Sequence, residues 1–294
     1  MERRNRSKGF KVWQRGIEVI ILLYVLFYGL RIFEYFVLHT DRTWVGEAVF
    51  HKLAGIAILL SVAGTLGYSM ADIGFAGKKV LSGLLKGLGL GMGVYACAYS
   101  AEILMTLSQE RFEGLRIYVS AYAIDQNIGQ RTEILFFAIC VIGNLVNVVM
   151  EEGVFRGLFV KMLEKKYSFI GAAVFSSVLF GFWHVIGPVR NYMEGTTGPA
   201  GAAANAVMLL CTSALVGFKF AMLTELTGNL YTAMGDHFVN NTIVNLLHVV
   251  SESGADEWMV VRVSIAQSLS FAVVLALYIG WRRKKQKGSC CIPA

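Results

Sequence analysis

Ile134-Leu-Phe-Phe-Ala-Ile-Cys-Val-Ile-Gly-Asn144-Leu-Val-Asn147-Val-Val-Met-Glu151-Glu152-Gly-Val-Phe-Arg156-Gly is the stretch on which the reading of this chain turns. From Ile134 to Met150 it carries no Asp, Glu, Lys or Arg, and it approaches the ~20 apolar residues that a helix needs to cross a bilayer. Two adjacent carboxylates and an arginine follow at once. Ionisable groups at that depth are costly, face a protein interior and mark function. On a helix, residues three and four apart share a face, so Glu152 pairs with Arg156 while Asn144, Asn147 and Glu151 form a separate polar stripe. Neighbouring residues point about 100° apart, which predicts that Glu151 and Glu152 do not face the same small cavity. One glutamate has a partner and the other, among neutral amides, is free.

Working outward, the rest of the chain repeats the apolar pattern. Of its 294 residues 55% are hydrophobic and only 16% charged, with 3 prolines, and the mean hydropathy is +0.56. That composition excludes an ordinary soluble domain and implies an all-α polytopic membrane protein. The span ruler predicts eight transmembrane helices, near residues 17–38, 47–70, 80–107, 133–163, 168–187, 201–224, 229–250 and 260–281. The first run is too long for a signal peptide and lacks a small-x-small cleavage site, so it reads as a retained span. Residues 1–16 and 283–294 are then basic cytoplasmic tails around a membrane domain at 17–282, whose core is 135–248. The net charge of +7 gathers at Arg3 to Arg15 and Arg282 to Lys287, as membrane anchors rather than a nucleic-acid surface.

Lys78-Lys79 and Lys165-Lys166 put the even-numbered connections inside, and 251–257, without Lys or Arg, falls outside. Both termini are therefore expected in the cytoplasm. The long connection 108–132 mixes Arg111, Arg116 and Arg131 with Glu110, Glu113 and Asp125 and argues weakly either way. Gly83, Gly87, Gly89, Gly91 and Gly93 predict close approach of the third helix to a neighbour. Snorkelling or local pairing accounts for Arg31 with Glu34, Glu102 and Lys219. No pair among Cys97, Cys140, Cys211, Cys290 and Cys291 has zinc or disulfide spacing, and all read as reduced thiols.

Chemistry gathers on two further helices. The fifth carries Phe180-Gly-Phe-Trp-His184, an imidazole inside an apolar run with Phe180 one turn below it. The seventh carries His237 and Asn241 four apart on one face, and Asn245 and His248 continue that line. Each stripe alone could be glue between helices. Together they supply a carboxylate and an imidazole to take a proton from water, and imidazole or amide donors for a developing oxyanion. The site is expected in a cavity between helices four, five and seven. A zinc ion on Glu151, His184 and His237 is the alternative, although the H-E-x-x-H helix of metalloproteases is absent. Ser176 and Ser177 lack a G-x-S-x-G setting and are ordinary span serines.

These residues carry a resemblance. Glu151-Glu152-Gly-Val-Phe-Arg156, Phe180-Gly-Phe-Trp-His184 and His237-Phe-Val-Asn-Asn241 resemble the E-E-x-x-x-R, F-x-x-x-H and H-x-x-x-N motifs of the CAAX-protease and bacteriocin-processing family (CPBP, or Abi). The resemblance spans Leu135 to His248 and leaves out the first three helices. It implies an intramembrane endopeptidase in which Glu151 and His184 activate water and His237 and Asn241 stabilise the oxyanion. Glu152, Arg156 and Phe180 would support them. It also implies a metal-independent, cofactor-free mechanism, with zinc as the alternative. The partners would be the lipid bilayer and a membrane-associated or secreted peptide or protein, such as a bacteriocin or signalling peptide, with no nucleic acid. The expected home is a bacterial plasma membrane. The rival class is a non-enzymatic membrane protein, either a proton-coupled transporter or a bacteriocin immunity factor, and the broken inverted-repeat helices of many transporters are missing. The terminal Cys291-Ile-Pro-Ala294 fits C-a-a-X only formally.

Overall fold

The computed structural model describes residues 16–120, 122–123, 126–127 and 131–289. The basic stretch Arg3 to Arg15, Asp125, Cys290, Cys291 and the terminal C-a-a-X match lie outside the described residues.

Among the described residues eight rods form an all-α bundle. α1 is Gly16–Phe33, continued by a π-helical turn at Glu34–Leu38; α2 is Phe50–Thr65 and α3 is Val80–Ser108. α4 is Ile134–Leu163 and α5 is Phe169–Met193, interrupted at His184 and Val185. α6 is Pro199–Thr227, α7 is Tyr231–Leu246 and α8 is Met259–Ser289. Among them α1, α3, α4, α5, α6 and α8 are long and apolar enough to cross a membrane. α2 and α7, at 16 residues each, are shorter than the expected 47–70 and 229–250.

For α7 the reason is a strand. Leu247–Ser251 (β4) leaves the helix and pairs antiparallel with Phe112–Ile117 (β1), with Arg116 opposite His248, and Gly254–Ala255 (β5) pairs with β4. Tyr122–Ala123 (β2) and Gln126–Asn127 (β3) form a second small hairpin in the same long connection. His248 therefore does not extend the polar line of α7. Hydropathy marks Leu247 to Val250 as apolar but does not separate a helix end from a short buried strand.

The α3–α7 contact is made backbone to backbone. A Cβ on Gly87 would stand 2.1 Å from the Thr232 carbonyl oxygen, and one on Gly235 would stand 2.6 Å from that of Leu84. Gly83 and Gly91 face α7 as well, while Gly89 and Gly93 meet nothing within 4 Å. Only alternate glycines of the stripe are interfacial. Lipid tails are as apolar as leucine, so such close van der Waals approach is what holds membrane helices together.

Charge is paired across the bundle rather than at helix ends. Lys219 on α6 meets Asp236 on α7 at 2.6 Å and donates to Gln267 and Ser270 on α8. Arg262 on α8 meets Glu102 on α3 at 2.7 Å, and all four of these charged residues are buried. Arg31 is buried too and donates to the Trp183 carbonyl. Glu34, its expected partner, binds instead the backbone amides of Phe50 and His51 and the His51 ring. Snorkelling and local pairing thus fail for these four, because an ionised side chain in a low-dielectric interior needs a partner and the partners sit on other helices.

A large buried apolar cluster among the described residues joins α1, α2, α4 and α5. Phe155 on α4 stacks edge-on against Phe159, Phe180 and Trp183 at centroid distances of 5.6, 5.1 and 5.9 Å. This aromatic block fixes α4 against α5 at the level of the two glutamates.

Candidate active site

α4 changes its winding at the glutamates. It is α-helical to Glu151 and π-helical over Glu152–Phe159, every residue of which is buried. A π segment bonds i to i+5, widens the turn and recurs at functional sites. Two glycines let its wider coil fit: a Cβ on Gly153 would lie 2.6 Å from Leu59 Cδ2, and one on Gly157 would lie 2.6 Å from the Ile73 carbonyl oxygen. From α5, Ser176 donates to the Phe155 carbonyl at 2.6 Å, which is a structural duty.

Glu152 Oε1 lies 3.3 Å from Arg156 Nη1, the expected pair, and 2.8 Å from Nδ1 of His237. The other ring nitrogen, Nε2, lies 3.6 Å from Glu151 Oε2. One imidazole therefore stands between both carboxylates, contrary to the expectation that they could not share a cavity. The helix does separate them, but the ring offers a nitrogen on each side and takes one glutamate at each. Nδ1 faces a carboxylate, which only accepts, so it carries its proton. At Nε2 a single proton, on either partner, makes the contact to Glu151 favourable.

Glu151 is not free either. Trp183 Nε1 donates to its Oε1 at 2.8 Å, while Asn144, the amide expected beside it, donates to the Cys140 carbonyl of its own helix. His184 sits at the interruption of α5, half-buried, close enough to Glu151 for electrostatic interaction. Its Nδ1 donates to the Phe180 carbonyl at 2.9 Å, which leaves the lone pair on Nε2.

Phe180 is the spacer of the group. Its ring lies 4.7 Å from that of His184 and 6.3 Å from that of His237, and the Arg156 guanidinium stacks 3.9 Å above it. α6 closes the other side: Phe220 stacks on His237 at 4.8 Å, and the Gly217 carbonyl accepts from Arg156 Nε. Glu151, Glu152, Arg156, Phe180, His184 and His237 are thus brought together. Asn241 lies one turn beyond His237, and its Oδ1 accepts from Asn240 at 3.0 Å.

What the described residues place between α4, α5 and α7 is a polar cluster. An open cavity does exist in the described structure, but it lies toward the start of α4, where Trp44, Glu47, Ser120, Arg131, Phe136 and Cys140 line it. Among the described residues no group of three or more His, Cys, Asp or Glu side chains is arranged to hold a metal ion. Trp183, Gly217 and Phe220 were not singled out from the sequence, and Arg31 was read there only as snorkelling or paired with Glu34. Only Trp183, adjacent to His184 within the motif, left a signal there.

No curated protein matches the chain. Residues 133–243 match the family described as Rce1-like type II CAAX prenyl endopeptidase. The match starts just before α4 and ends inside α7, so it holds every residue of the cluster. The chain is therefore an integral membrane protein whose stretch from α4 into α7 is similar to the Rce1-like type II CAAX prenyl endopeptidase family, the CAAX-protease family that the three motifs resemble.

Proposed function

We propose that the protein is an intramembrane endopeptidase of the CAAX type that hydrolyses a peptide bond in a membrane-associated peptide, using water activated by Glu151 and His184. The observation that carries this reading is that Glu151 and His184 each have one polar atom committed and one acceptor unspent. Glu151 has Oε1 held by Trp183, and His184 has Nδ1 committed to a carbonyl, so an acceptor on each is left for one water. The water oxygen attacks the substrate carbonyl as its proton passes to this pair, and the proton is returned to the departing amine. His237, fixed by Glu152 on Nδ1, offers Nε2–H to the oxyanion, and the Asn241 amide assists it. No step needs a metal, and activity should survive strong chelation. Stoichiometric zinc whose removal abolishes turnover and whose return restores it would overturn that part.

The proposed setting is a bacterial plasma membrane, and the Lys/Arg bias of the connections supports both termini being cytoplasmic. The proximity of Glu151 to His237, with the Lys219–Asp236 pair beside it, would also suit a proton relay in a transporter. Cleavage separates the two readings. Purified protein in liposomes, given an S-farnesylated C-a-a-X peptide and its unprenylated twin, should release the terminal tripeptide from the first. Absence of cleavage of both, and of secreted apolar peptides, would favour the relay.

A further inference from the structure

The family match begins at residue 133 and so leaves α1 and α2 without a role. Both reach the cluster through one side chain, Trp183, which is almost wholly buried. Its indole nitrogen donates to Glu151 Oε1 at 2.8 Å. On its other sides, Tyr28 of α1 packs edge-on at 6.0 Å and His51 of α2 tilts against it at 5.8 Å. Arg31 of α1 holds the residue twice, with its guanidinium 4.4 Å over the ring and Nη1 donating at 2.9 Å to the backbone carbonyl. Glu34, the carboxylate nearest in sequence, is engaged by His51, Thr40 and the start of α2. Arg31 is left for the tryptophan.

We propose that Trp183, clamped by Arg31, is the positioning residue of the site: it fixes one oxygen of the Glu151 carboxylate so that the other faces His184, His237 and the attacking water. The assignment rests on Glu151 being the base. A carboxylate turns about its last torsion with little resistance, since that torsion is broad and roughly two-fold. An indole donates but cannot accept, so it binds Oε1 without competing for the proton that Oε2 must take. Arg31 could not do this directly without drawing an ion pair from the base. Working through the tryptophan, it holds the ring in place and keeps Nη1 on a carbonyl.

The test is steady-state kinetics on the full-length protein in liposomes, with the S-farnesylated peptide as probe. A hydrogen bond to a charged group has the strength to make Trp183→Phe lower kcat by about tenfold to a hundredfold. KM should stay within about twofold, because the contact touches the base and not the substrate. Arg31→Leu should show the same split with a smaller fall. In a Glu151→Gln background, Trp183→Phe should cost nothing further, since residues acting as a unit are not additive. If Trp183→Phe fails to fold, 3-benzothienylalanine at that site keeps the bicyclic ring without the N–H and decides the matter alike. A folded variant of either kind that turns over at the native rate, while Glu151→Gln is dead, overturns the positioning role and leaves the base intact. Normal cleavage by Glu151→Gln sinks the base, and the positioning role with it.

Discussion

Two clusters in this molecule are built from the same parts and do different things. One joins Glu151, Glu152, Arg156, His184 and His237 within the family-matched stretch. The other joins Glu102, Arg262, His248 and Asp256 across α3, α8 and the strand β4. In the second cluster Arg262 binds Glu102 at 2.7 Å and Asp256 at 2.9 Å. His248 spends Nδ1 on Asp256 at 2.5 Å and Nε2 on the Tyr118 carbonyl at 3.1 Å, with its ring stacked on Tyr118 at 3.8 Å. Both ring nitrogens are closed. In the first cluster His184 keeps Nε2 open and Glu151 keeps an oxygen beyond hydrogen-bond distance of any donor nitrogen named for it. Buried histidines and carboxylates do not by themselves make a site. What separates the two is the histidine: His248 has both ring nitrogens committed and His184 has one.

That contrast breaks most sharply at Glu151. Glu151→Gln is nearly isosteric and should leave the protein abundant in the membrane while lowering kcat by about 10²–10⁴-fold, the range of a lost general base. Arg262→Met should do the reverse. It strands Glu102, leaves Asp256 with His248 alone, and should destabilise the fold by about 3–5 kcal/mol, the usual cost of removing one partner of a buried pair. The protein that remains folded should turn over normally. Melting in detergent and kcat on the folded fraction check both halves, and a folded Arg262→Met variant with low kcat would erase the distinction. Glu152→Gln falls between them. It leaves Arg156 without its carboxylate and loosens His237, so accumulation and activity should drop together.

A smaller effect sharpens the same lesson for backbone contacts. Gly87→Ala places a methyl against the Thr232 carbonyl and should cost about 1–3 kcal/mol, as overpacking does. Gly89→Ala, facing open space two residues on, should instead stabilise α3 by about 0.5–1 kcal/mol, the helix-propensity difference between the two residues. Equal effects at the two positions would mean that α3 is not seated on α7 as described.

Eight helices were legible because hydropathy is summed over some twenty residues, and one polar side chain does not erase it. The Glu152–Arg156 pair was legible because helical spacing is local. What escaped depends on which helix faces which. Nothing in the run around Arg31 announces Trp183 as its seat, and Lys219 becomes an interior cation only when α7 brings Asp236 to 2.6 Å. The separation of Glu151 from Glu152 was read from a regular helix. It was overtaken by the reach of two flexible side chains toward the two edges of one imidazole. β4 escaped because Leu247 to Val250 is apolar in either conformation, and its partner strand β1 lies far back in the chain, with Arg116 opposite His248.

The smallest expected effect is a pH dependence, and it belongs to the closed cluster. Burial alone would raise the Asp256 carboxyl, but the hydrogen bond from His248 and the charge of Arg262 outweigh it and hold the group below its usual range. A carboxyl depressed on folding contributes stability above its unfolded value of about 3.9, and that contribution is lost as pH falls toward the folded value. The whole bundle titrates in acid, so the native melting curve is not informative alone. The difference between native protein and Asp256→Asn is. The asparagine cannot ionise, so that difference should be full near neutrality and shrink toward zero as pH drops below about 4. Melting temperatures of both proteins in one detergent, taken from neutral to acid pH, give the curve. A gap that stays constant, or widens in acid, would mean that Asp256 is not held as a carboxylate by His248 and Arg262, and the second cluster would then not be closed.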